Sequence, residues 1–552
     1  MTDIRRTVLW AVFALSLLLL WDGWQRHNGR PSMFAPTPAA STQTASPATP
    51  ASGVPQAAQL GAATPTTSTA PAVAPAAAGE TVVVETDLAR ATFDTLGGSL
   101  VQLELLKHGD DTAARGPMKV LERARQYAAQ SGLVDVQGAP NHTTLMKLVS
   151  PERKLEDGAT QLNVRFESPE QAGLKLVKTY TFERGSYAIK VRHEVQNVSA
   201  APLKPQLYLQ LQRDGSQISG GGPDAFGTGT YTGAAIYHDK IKYTKVDLPG
   251  LEKKAFDGER LAQDGWVSMV QHYFASAWLR TATGPREFYA KRIAPQLYTV
   301  GVVHPLAQVA PGASAVADDL LFVGPQEEKN LAALAPGLDL LKDYGWFHIL
   351  AKPLFWLLDK IHAVIGNWGW AIVILVLLLK IAFYSLNASA YRSMAKMKKV
   401  NPRIMEMRER LKDKPQQMQQ EMMRMYKEEK VNPLGSCLPI LLQIPFFIAL
   451  YWVLLSTVEM RHAPWVGWIT DLSAKDPWFV LPALMTLSSL LQVWLQPAPP
   501  DPMQAKLMWI MPLAFSFMFF FFPAGLVLYW LVNNLLSIAQ QWMINKQLGV
   551  QN

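Results

Sequence analysis

Long apolar runs constrain the fold of this chain more than any other feature. Five runs in the C-terminal third cover residues 367–387, 434–457, 478–496, 507–522 and 525–545. Most of them approach the roughly twenty residues that a helix needs to cross a bilayer. A sixth run, 7–24, follows two arginines near the N-terminus. The sequence therefore predicts a polytopic α-helical membrane protein with six transmembrane helices.

The N-terminal run has two interpretations, a cleaved signal peptide or an uncleaved anchor. It ends in WDGWQRHNGR with no small-residue cleavage site close behind, which favours an anchor over residues 7–24. Residues 25–79 follow, and from Pro31 to Gly79 they contain no Asp, Glu, Lys or Arg. Such a stretch of Ala, Pro, Thr and Ser cannot bury a core, so we predict a disordered linker.

Residues 80–340 show the period-two alternation of β-strands. In KLVKTYTFERGSYAIKVRHEV, apolar Ile189, Val191 and Val195 alternate with charged residues, and GS offers a turn between two strands. We predict a large antiparallel β-sandwich. Its histidines lack the spacing of metal ligands, and it contains no G-x-S-x-G or paired-acid motif. We therefore expect a binding or scaffold domain with no metal and no cofactor, and a chain that is not an enzyme.

Charge predicts the orientation of the membrane part. The segment from Tyr391 to Lys430 holds 12 Lys and Arg against 6 Asp and Glu, so the loop 388–431 should be cytoplasmic. The 458–477 loop has little positive excess and should lie outside, with the β domain, in the periplasm. The loop 497–506 and the tail 546–552 should then be cytoplasmic. Residues 346–365 mix apolar and charged side chains, which is typical of a helix lying along the membrane surface.

The cytoplasmic loop carries a helical pattern of its own. Met397, Val400, Ile404, Met407 and Leu411 are spaced alternately by three and four residues, and Met418, Met422 and Met425 continue the pattern. We predict an antiparallel coiled-coil hairpin, interrupted at Asn401-Pro402, where Asn would cap a new helix. Either its methionines pack the hairpin itself, or they contact substrates or partners.

Lys380 is a charge inside an apolar run, where it costs a few kcal/mol unless it is solvated. It could snorkel to the interface, or it could be the cation of a polar groove. An ion pair within the membrane is excluded, because the other four C-terminal spans contain no Asp or Glu. They do contain neutral polar residues that we place in the cytoplasmic half of the bilayer: Gln443, Ser489, Gln492, Ser516, Asn533, Ser537 and Gln540. These predict a hydrated groove open to the cytoplasm, which would admit a polar chain partway into the membrane.

Several stretches make the chain resemble the YidC membrane protein insertases of the Oxa/Alb/YidC superfamily, in the Gram-negative form. They include YGWFHILAKPLFWLLDKIHAVIGNWGWAI, MAKMKKVNPRIMEMRERL, KVNPLGSCLPILLQIPFFIALYWVL and FPAGLVLYWLVNNLLSIAQQ. The resemblance implies a five-helix core with a hydrophilic groove, a cytoplasmic hairpin and a periplasmic β-supersandwich. It implies insertion of nascent membrane proteins into the inner membrane, alone or beside the Sec translocon. The ribosome, the signal recognition particle pathway and the lipid bilayer are the other implied partners, and sequence-specific nucleic acid binding is not.

Three departures from the family pattern stand out. The groove cation of the family is usually Arg, whereas the aligned residue here is Lys380, which keeps the charge without the bidentate fork. The groove Tyr of the last span is replaced by Trp530, after Tyr529. The tail carries only Lys546, so we do not expect it to provide the ribosome contact of relatives with long basic tails.

Two other classes of function compete with this interpretation. A solute transporter or channel would require polar residues in both halves of the bilayer, whereas the sequence concentrates them in one. A membrane-tethered protein that binds or processes sugars would require an aromatic platform or paired acids in a cleft of the β domain.

Overall fold

The computed structural model describes Pro55 and residues 79–110, 116–216, 230–280, 282–411, 414–428, 438–496 and 502–547. For residues 346, 415, 438–443, 502 and 504 only the backbone is described. The predicted anchor 7–24 lies outside this part of the chain, and so does the linker 25–79 apart from Pro55 and Gly79. The chain forms two compact units, Met1–Leu341 and Lys342–Asn552, which are described separately below.

The first unit is built from β-strands. In chain order those of the described residues are β1 Thr81–Glu85, β2 Ala89–Asp94, β3 Ser99–Gly109, β4 Pro117–Leu121, β5 Ala128–Val134, β6 Lys147–Leu148, β7 Gln161–Glu167, β8 Leu174–Glu183, β9 Ala188–Asn197, β10 Gln206–Asp214, β11 Gly233–His238, β12 Lys242–Val246, β13 Leu261–Ala262, β14 Trp266–Val270, β15 Phe274–Leu279, β16 Arg286–Ala294, β17 Leu297–Pro305 and β18 Ser314–Pro325. One short helix, α1 (Glu328–Leu334), follows the last strand.

These strands form two antiparallel sheets, which confirms the predicted β-sandwich. The first has the order β1-β2-β3-β5-β10-β17-β16-β13, with β4 paired to β3, and the second has the order β12-β11-β14-β15-β18-β9-β8-β7-β6. The predicted hairpin is β8–β9, with Lys175 opposite Gln196 and Phe182 opposite Ile189. Ile189, Val191 and Val195 are at most 2% exposed, as their alternation predicted.

The core of this unit lies between the sheets. Phe93 of the first sheet packs on Phe166 and Tyr180 of the second, with ring centroids 5.4 and 4.7 Å apart. Trp278 of the second sheet donates from Nε1 to the carbonyl of Gln210 in the first at 3.0 Å. Burial of large aromatic side chains supplies most of the apolar area that stabilises such a sandwich.

The second unit is helical. Its described helices are α2 His348–Ile365, α3 Trp368–Ala382, α4 Tyr384–Arg410, α5 Pro415–Glu428, α6 Leu438–Ser456, α7 Val480–Leu495, α8 Pro502–Phe519 and α9 Ala524–Gln547. One apolar cluster joins α2, α3, α6, α7 and α9, and its most buried members include Ala371, Ala449 and Leu528. On α2, Ile349, Trp356 and Val364 are exposed, as expected of a helix at a membrane surface.

Two sequence-based boundaries are wrong. The predicted span 367–387 is not one helix, because α3 ends at Phe383 and α4 leaves at an angle of 69°. The Phe383 ring packs against Phe446, and the carbonyl of Tyr384 accepts a 3.4 Å hydrogen bond from Gln540 at the bend. The expected interruption at Asn401-Pro402 is absent, since α4 runs through Pro402. Packing of Val400 and Ile404 in the hairpin offsets the backbone hydrogen bond that proline removes.

No single helix in the described part of the chain has both the length and the apolar composition of a membrane span. The bent pair of α3 and α4 reaches that length and composition only when its two helices are taken together. Helix α8 begins at Pro502, so part of the predicted loop 497–506 is helical.

Candidate functional site: two polar cavities beside the last helix

Helix α9 carries polar side chains on two neighbouring faces. With about 100° of rotation per residue, Asn533, Ser537 and Gln540 lie on one face, whereas Trp530 and Asn534 lie on a second face roughly 80° away. The first face meets α3 and the start of α4, and the second meets α7. The predicted groove residues are therefore divided between two cavities.

The first cavity contains Lys380. The ammonium group donates a 2.7 Å hydrogen bond to Ser537 Oγ, and Ser537 in turn donates to the carbonyl of Asn533 at 2.7 Å. The cavity is small and partly open to the outside, and about 30 Å³ of it is wide enough for water. It is lined by residues of α3, α6 and α9: Val376, Leu379, Lys380, Phe383, Phe446, Phe447, Tyr529 and Asn533. The Lys380 ammonium therefore bonds to one hydroxyl among the described residues and lines a partly open cavity with mostly apolar walls.

The second cavity lies between α7, α8 and α9 and is larger, with about 1510 Å³ of open space. Ser489, Gln492 and Gln496 line it together, as their spacing of three and four residues predicted. Trp530 lines it too, with its ring stacked on Phe447 and edge-on to Phe519. Four methionines complete the lining: Met485, Met508, Met511 and Met518. This surface is apolar and adaptable, with amides at one part of its wall.

Asn534 is a functional candidate that sequence reasoning missed. Its side-chain amide is buried and donates to Ser489 Oγ at 2.9 Å and to Ser488 Oγ at 3.2 Å, which clamps α9 to α7. From the sequence, Trp530 was predicted to lie in the groove with Lys380. In the structure Tyr529 lines the Lys380 cavity and Trp530 lines the other cavity. The adjacent pair Asn533-Asn534 could have revealed Asn534, since neighbouring side chains on a helix point about 100° apart and two amides there serve two faces.

Two predicted groove residues line neither cavity, and a third is not described. Ser516 is 3% exposed and donates to the carbonyl of Pro512 at 2.6 Å, so it satisfies its own helix rather than lining either cavity. Gln540 is buried at the bend between α3 and α4, where it contacts Tyr384. The side chain of Gln443 lies outside the described part of the structure.

The hairpin formed by α4 and α5 packs on its own methionines. Val400, Ile404 and Met407 are buried, and Met397, Met418, Met422 and Met425 pack against them. These positions support the interpretation of the pattern as hairpin packing. In the described part of the hairpin the exposed methionines are Met405 and Met423, which do not belong to the three-and-four spacing. Any contact of the hairpin with a partner would therefore use a different surface from its seam.

A third polar cluster lies between the two sheets of the β domain. Ser131 Oγ lies 2.9 Å from His193 Nε2, and His193 Nδ1 lies 3.4 Å from Asp319 Oδ2. Nearby, Lys178 donates to the carbonyls of Gly97 and Ser131, both at 2.7 Å. Burial lowers the pKa of His193. Ser131, His193 and Lys178 have no exposed surface and Asp319 has only 5%, so no substrate reaches this group.

A β-sandwich domain combined with an apolar helical unit is the architecture of a membrane protein that carries a large folded domain outside its helices. The exposed surface of these helices is itself apolar, with Ile381, Leu487 and Phe517 each more than 60% exposed. Such side chains are typical of a surface that contacts lipid.

Comparison with known proteins identifies the family. The sequence profile of the YidC periplasmic domain matches residues 81–357, and that of the 60Kd inner membrane protein matches residues 360–551. The membrane protein insertase YidC of Cupriavidus necator is 53% identical over 553 residues, covering 99% of this chain and 98% of the relative. That of Ralstonia nicotianae is 52% identical over 552 residues with the same coverage. The chain therefore belongs to the YidC family of membrane protein insertases, which are not enzymes in the bond-making sense.

Among solved structures, an active YidC insertase with its first transmembrane domain resolved is similar to this chain. It is 18% identical, and the match covers 84% of this chain and 94% of that one with a TM-score of 0.38. The assignment to the family rests on the sequence comparisons.

Proposed function

We propose that this protein inserts nascent membrane proteins into the inner membrane of a Gram-negative bacterium, with the Lys380 cavity as the site that receives polar segments of the substrate. One observation carries the proposal. Within the described residues, a lysine on an apolar helix bonds to one hydroxyl, that of Ser537, and lines a partly open cavity. The neighbouring spans contain no carboxylate that could neutralise it.

The chemistry of an ammonium group explains what the cavity accepts. Lysine has three N–H donors, and within the described residues Ser537 takes one of them. The remaining donors suit carboxylates and backbone carbonyls, the acceptors of an acidic or extended segment. Because Coulomb attraction strengthens as the dielectric constant falls, a cation in this position attracts an acidic tail more strongly than one in water. Snorkelling remains the alternative role of Lys380, and it predicts no such preference.

Two bands of exposed tryptophan support the proposed arrangement in the membrane. Trp370 and Trp478 lie at the start of α3 and just before α7, and Trp356 lies midway along α2, the helix proposed to follow the membrane surface; they are 46%, 72% and 59% exposed. A second set of exposed tryptophans comprises Trp494 near the end of α7, Trp509 in the first half of α8 and Trp542 near the end of α9. Tryptophan favours the interfacial region of a bilayer. Trp478 and Trp494 are about 24 Å apart along a helix, which is less than the usual ~30 Å of hydrocarbon.

The finer topology belongs to the same proposal. Six spans would place both termini and the basic hairpin in the cytoplasm, and the β domain in the periplasm. We extend the proposal to work beside the Sec translocon and to substrate delivery by the ribosome and the signal recognition particle pathway. Family membership alone supports these partners.

The test is insertion of a small coat-protein-like substrate with an acidic translocated tail, in cells depleted of their own insertase. Cells would be complemented with the wild type, Lys380→Arg, Lys380→Ala or Lys380→Glu. We expect Arg to support insertion, Ala to reduce it and Glu to abolish it. A substrate with a neutral tail is the matched control and should be less sensitive. Equal insertion by all four proteins would show that Lys380 only snorkels.

A further inference from the structure

The first 22 residues of α4 and the rest of the hairpin differ sharply in charge. Residues 384–405 contain five Lys and Arg and no Asp or Glu, whereas residues 406–428 contain six Lys and Arg and five Asp and Glu. Within residues 406–428, Arg410 bonds to Glu421 at 2.9 Å and Arg424 bonds to Glu428 at 2.7 Å. The positive charge of the hairpin is therefore concentrated next to the helical core.

Four of the five basic residues form one stripe. Arg392, Lys396, Lys399 and Arg403 are spaced by four, three and four residues, which places them on the same face of α4. All four side chains are exposed. In the described part of the hairpin, Arg392 and Lys396 form no ion pair.

The bend at Phe383 determines where this stripe lies. Helix α4 leaves the apolar helix α3 at 69°, so it turns from the direction of the span toward the plane of the bilayer surface. Ile381, Tyr384 and Leu386 lie at the bend and are 63%, 44% and 43% exposed. These apolar side chains suit the lipid boundary, and the stripe begins about two turns after Tyr384 and Leu386 on α4.

From this placement we propose that Arg392, Lys396, Lys399 and Arg403 bind the phosphate headgroups of anionic phospholipids in the cytoplasmic leaflet. The stripe has the charge density of basic segments that bind acidic lipids beside a membrane span. Lipid is favoured over RNA phosphate because the stripe continues directly from a lipid-facing apolar surface and lies along the plane of the headgroups. Bound headgroups would hold the base of the hairpin at the surface, beside the Lys380 cavity.

The experiment is native mass spectrometry of the full chain in neutral detergent, titrated with phosphatidylglycerol and, as reference, phosphatidylcholine. The test protein is the double variant Arg392→Gln with Lys396→Gln. The control is Arg410→Gln with Arg424→Gln, which removes the same charge from residues that already have partners. We expect the test variant to bind phosphatidylglycerol more weakly, by about fivefold per removed charge. The control should bind like the wild type, and phosphatidylcholine binding should not change.

Three results would overturn the proposal. Equal loss of phosphatidylglycerol binding in both variants would indicate a general charge effect with no site. Unchanged binding in the test variant would show that the stripe does not hold headgroups. Loss of ribosome co-sedimentation with unchanged lipid binding would make RNA phosphate the occupant. Since all four substituted side chains are exposed, we expect both variants to fold.

Discussion

Two lysines, one in each unit, show how differently this protein treats a charge taken out of water. Lys178 has no exposed surface, and its ammonium donates to two backbone carbonyls at 2.7 Å. Lys380 is half-buried, donates to one hydroxyl and lines a cavity. The first lysine is enclosed and its bonds tie together segments of the β-sandwich. The second has N–H donors without a partner among the described residues, beside a partly open cavity.

The contrast separates structural polar groups from functional ones. A buried polar group that is fully satisfied by the protein itself stabilises one packing arrangement and offers nothing to a ligand. A partly satisfied group beside a cavity costs stability and is retained where it binds something. By this criterion Lys178 belongs to the fold, and Lys380 is the candidate for a group that binds substrate.

Charge reversal at the two lysines should give the largest contrast. Lys178→Glu would direct a carboxylate at two carbonyl oxygens inside the β domain. We expect this substitution to lower the free energy of unfolding by more than ~5 kcal/mol and to leave that domain unfolded. Lys380→Glu should leave the protein folded and abolish insertion of acidic-tailed substrates. Limited proteolysis of the full chain measures folding, and the insertion assay measures activity. A folded Lys178→Glu protein would contradict the closed description of that site.

The pH dependence of the β domain should follow Lys178. Burial lowers the pKa of Lys178 to about 7. Between that value and the ordinary 10.5 the unfolded chain binds a proton that the folded chain has released, so the free energy of unfolding rises with pH. We expect a gain of about 3 kcal/mol from pH 7 to 9.5, measured by urea unfolding of the full chain with a β-domain probe. The control, Lys178→Met, should show a flatter profile, and an equal rise in both proteins would assign the effect to other groups.

A smaller effect compares matched amides in the two units. Gln326 donates to the carbonyls of Gln271 and Phe274 at 2.7 and 2.9 Å in the β domain, and Asn534 donates to two serines between α7 and α9. Gln326→Leu should lower the free energy of unfolding by about 2 kcal/mol, because it removes two hydrogen bonds to buried carbonyls. Asn534→Leu should cost about 1 kcal/mol, since hydrogen bonds between membrane helices contribute less. Thermal unfolding with domain-specific probes measures both, and a larger cost at Asn534 would reverse the comparison.

The sequence predicted the β-sandwich better than it predicted the grouping of the cavity residues. Alternation along β8 and β9 needs only a two-residue period, and it correctly identified the buried faces. On α9, however, two polar faces are separated by less than a quarter turn, and only the neighbouring helices decide which cavity each residue lines. For this reason Asn534 was missed and Trp530 was grouped with Lys380.

Contacts between residues distant in sequence account for the other failures. His193 and Asp319 meet because β9 and β18 pair in one sheet, and Ser131 joins them because β5 of the other sheet stacks on these strands; no spacing in the chain reveals either contact. Pro402 stays within α4 because the hairpin seam packs on both sides of it. The bend at Phe383 depends on contacts from α6 and α9, which the apolar run 367–387 does not encode.

The central claim is that Lys380 faces a cavity that can be reached from the cytoplasm, and cysteine labelling tests it most directly. In a Cys437→Ser background, Lys380→Cys would be exposed in inverted membrane vesicles to a membrane-impermeant maleimide, and Lys178→Cys, the enclosed comparison, would be exposed to the same reagent in detergent-solubilised protein. We predict rapid labelling at position 380, protection when a stalled nascent chain occupies the insertase, and labelling at position 178 only after unfolding. Failure of the cysteine at position 380 to react in the intact protein would contradict the account.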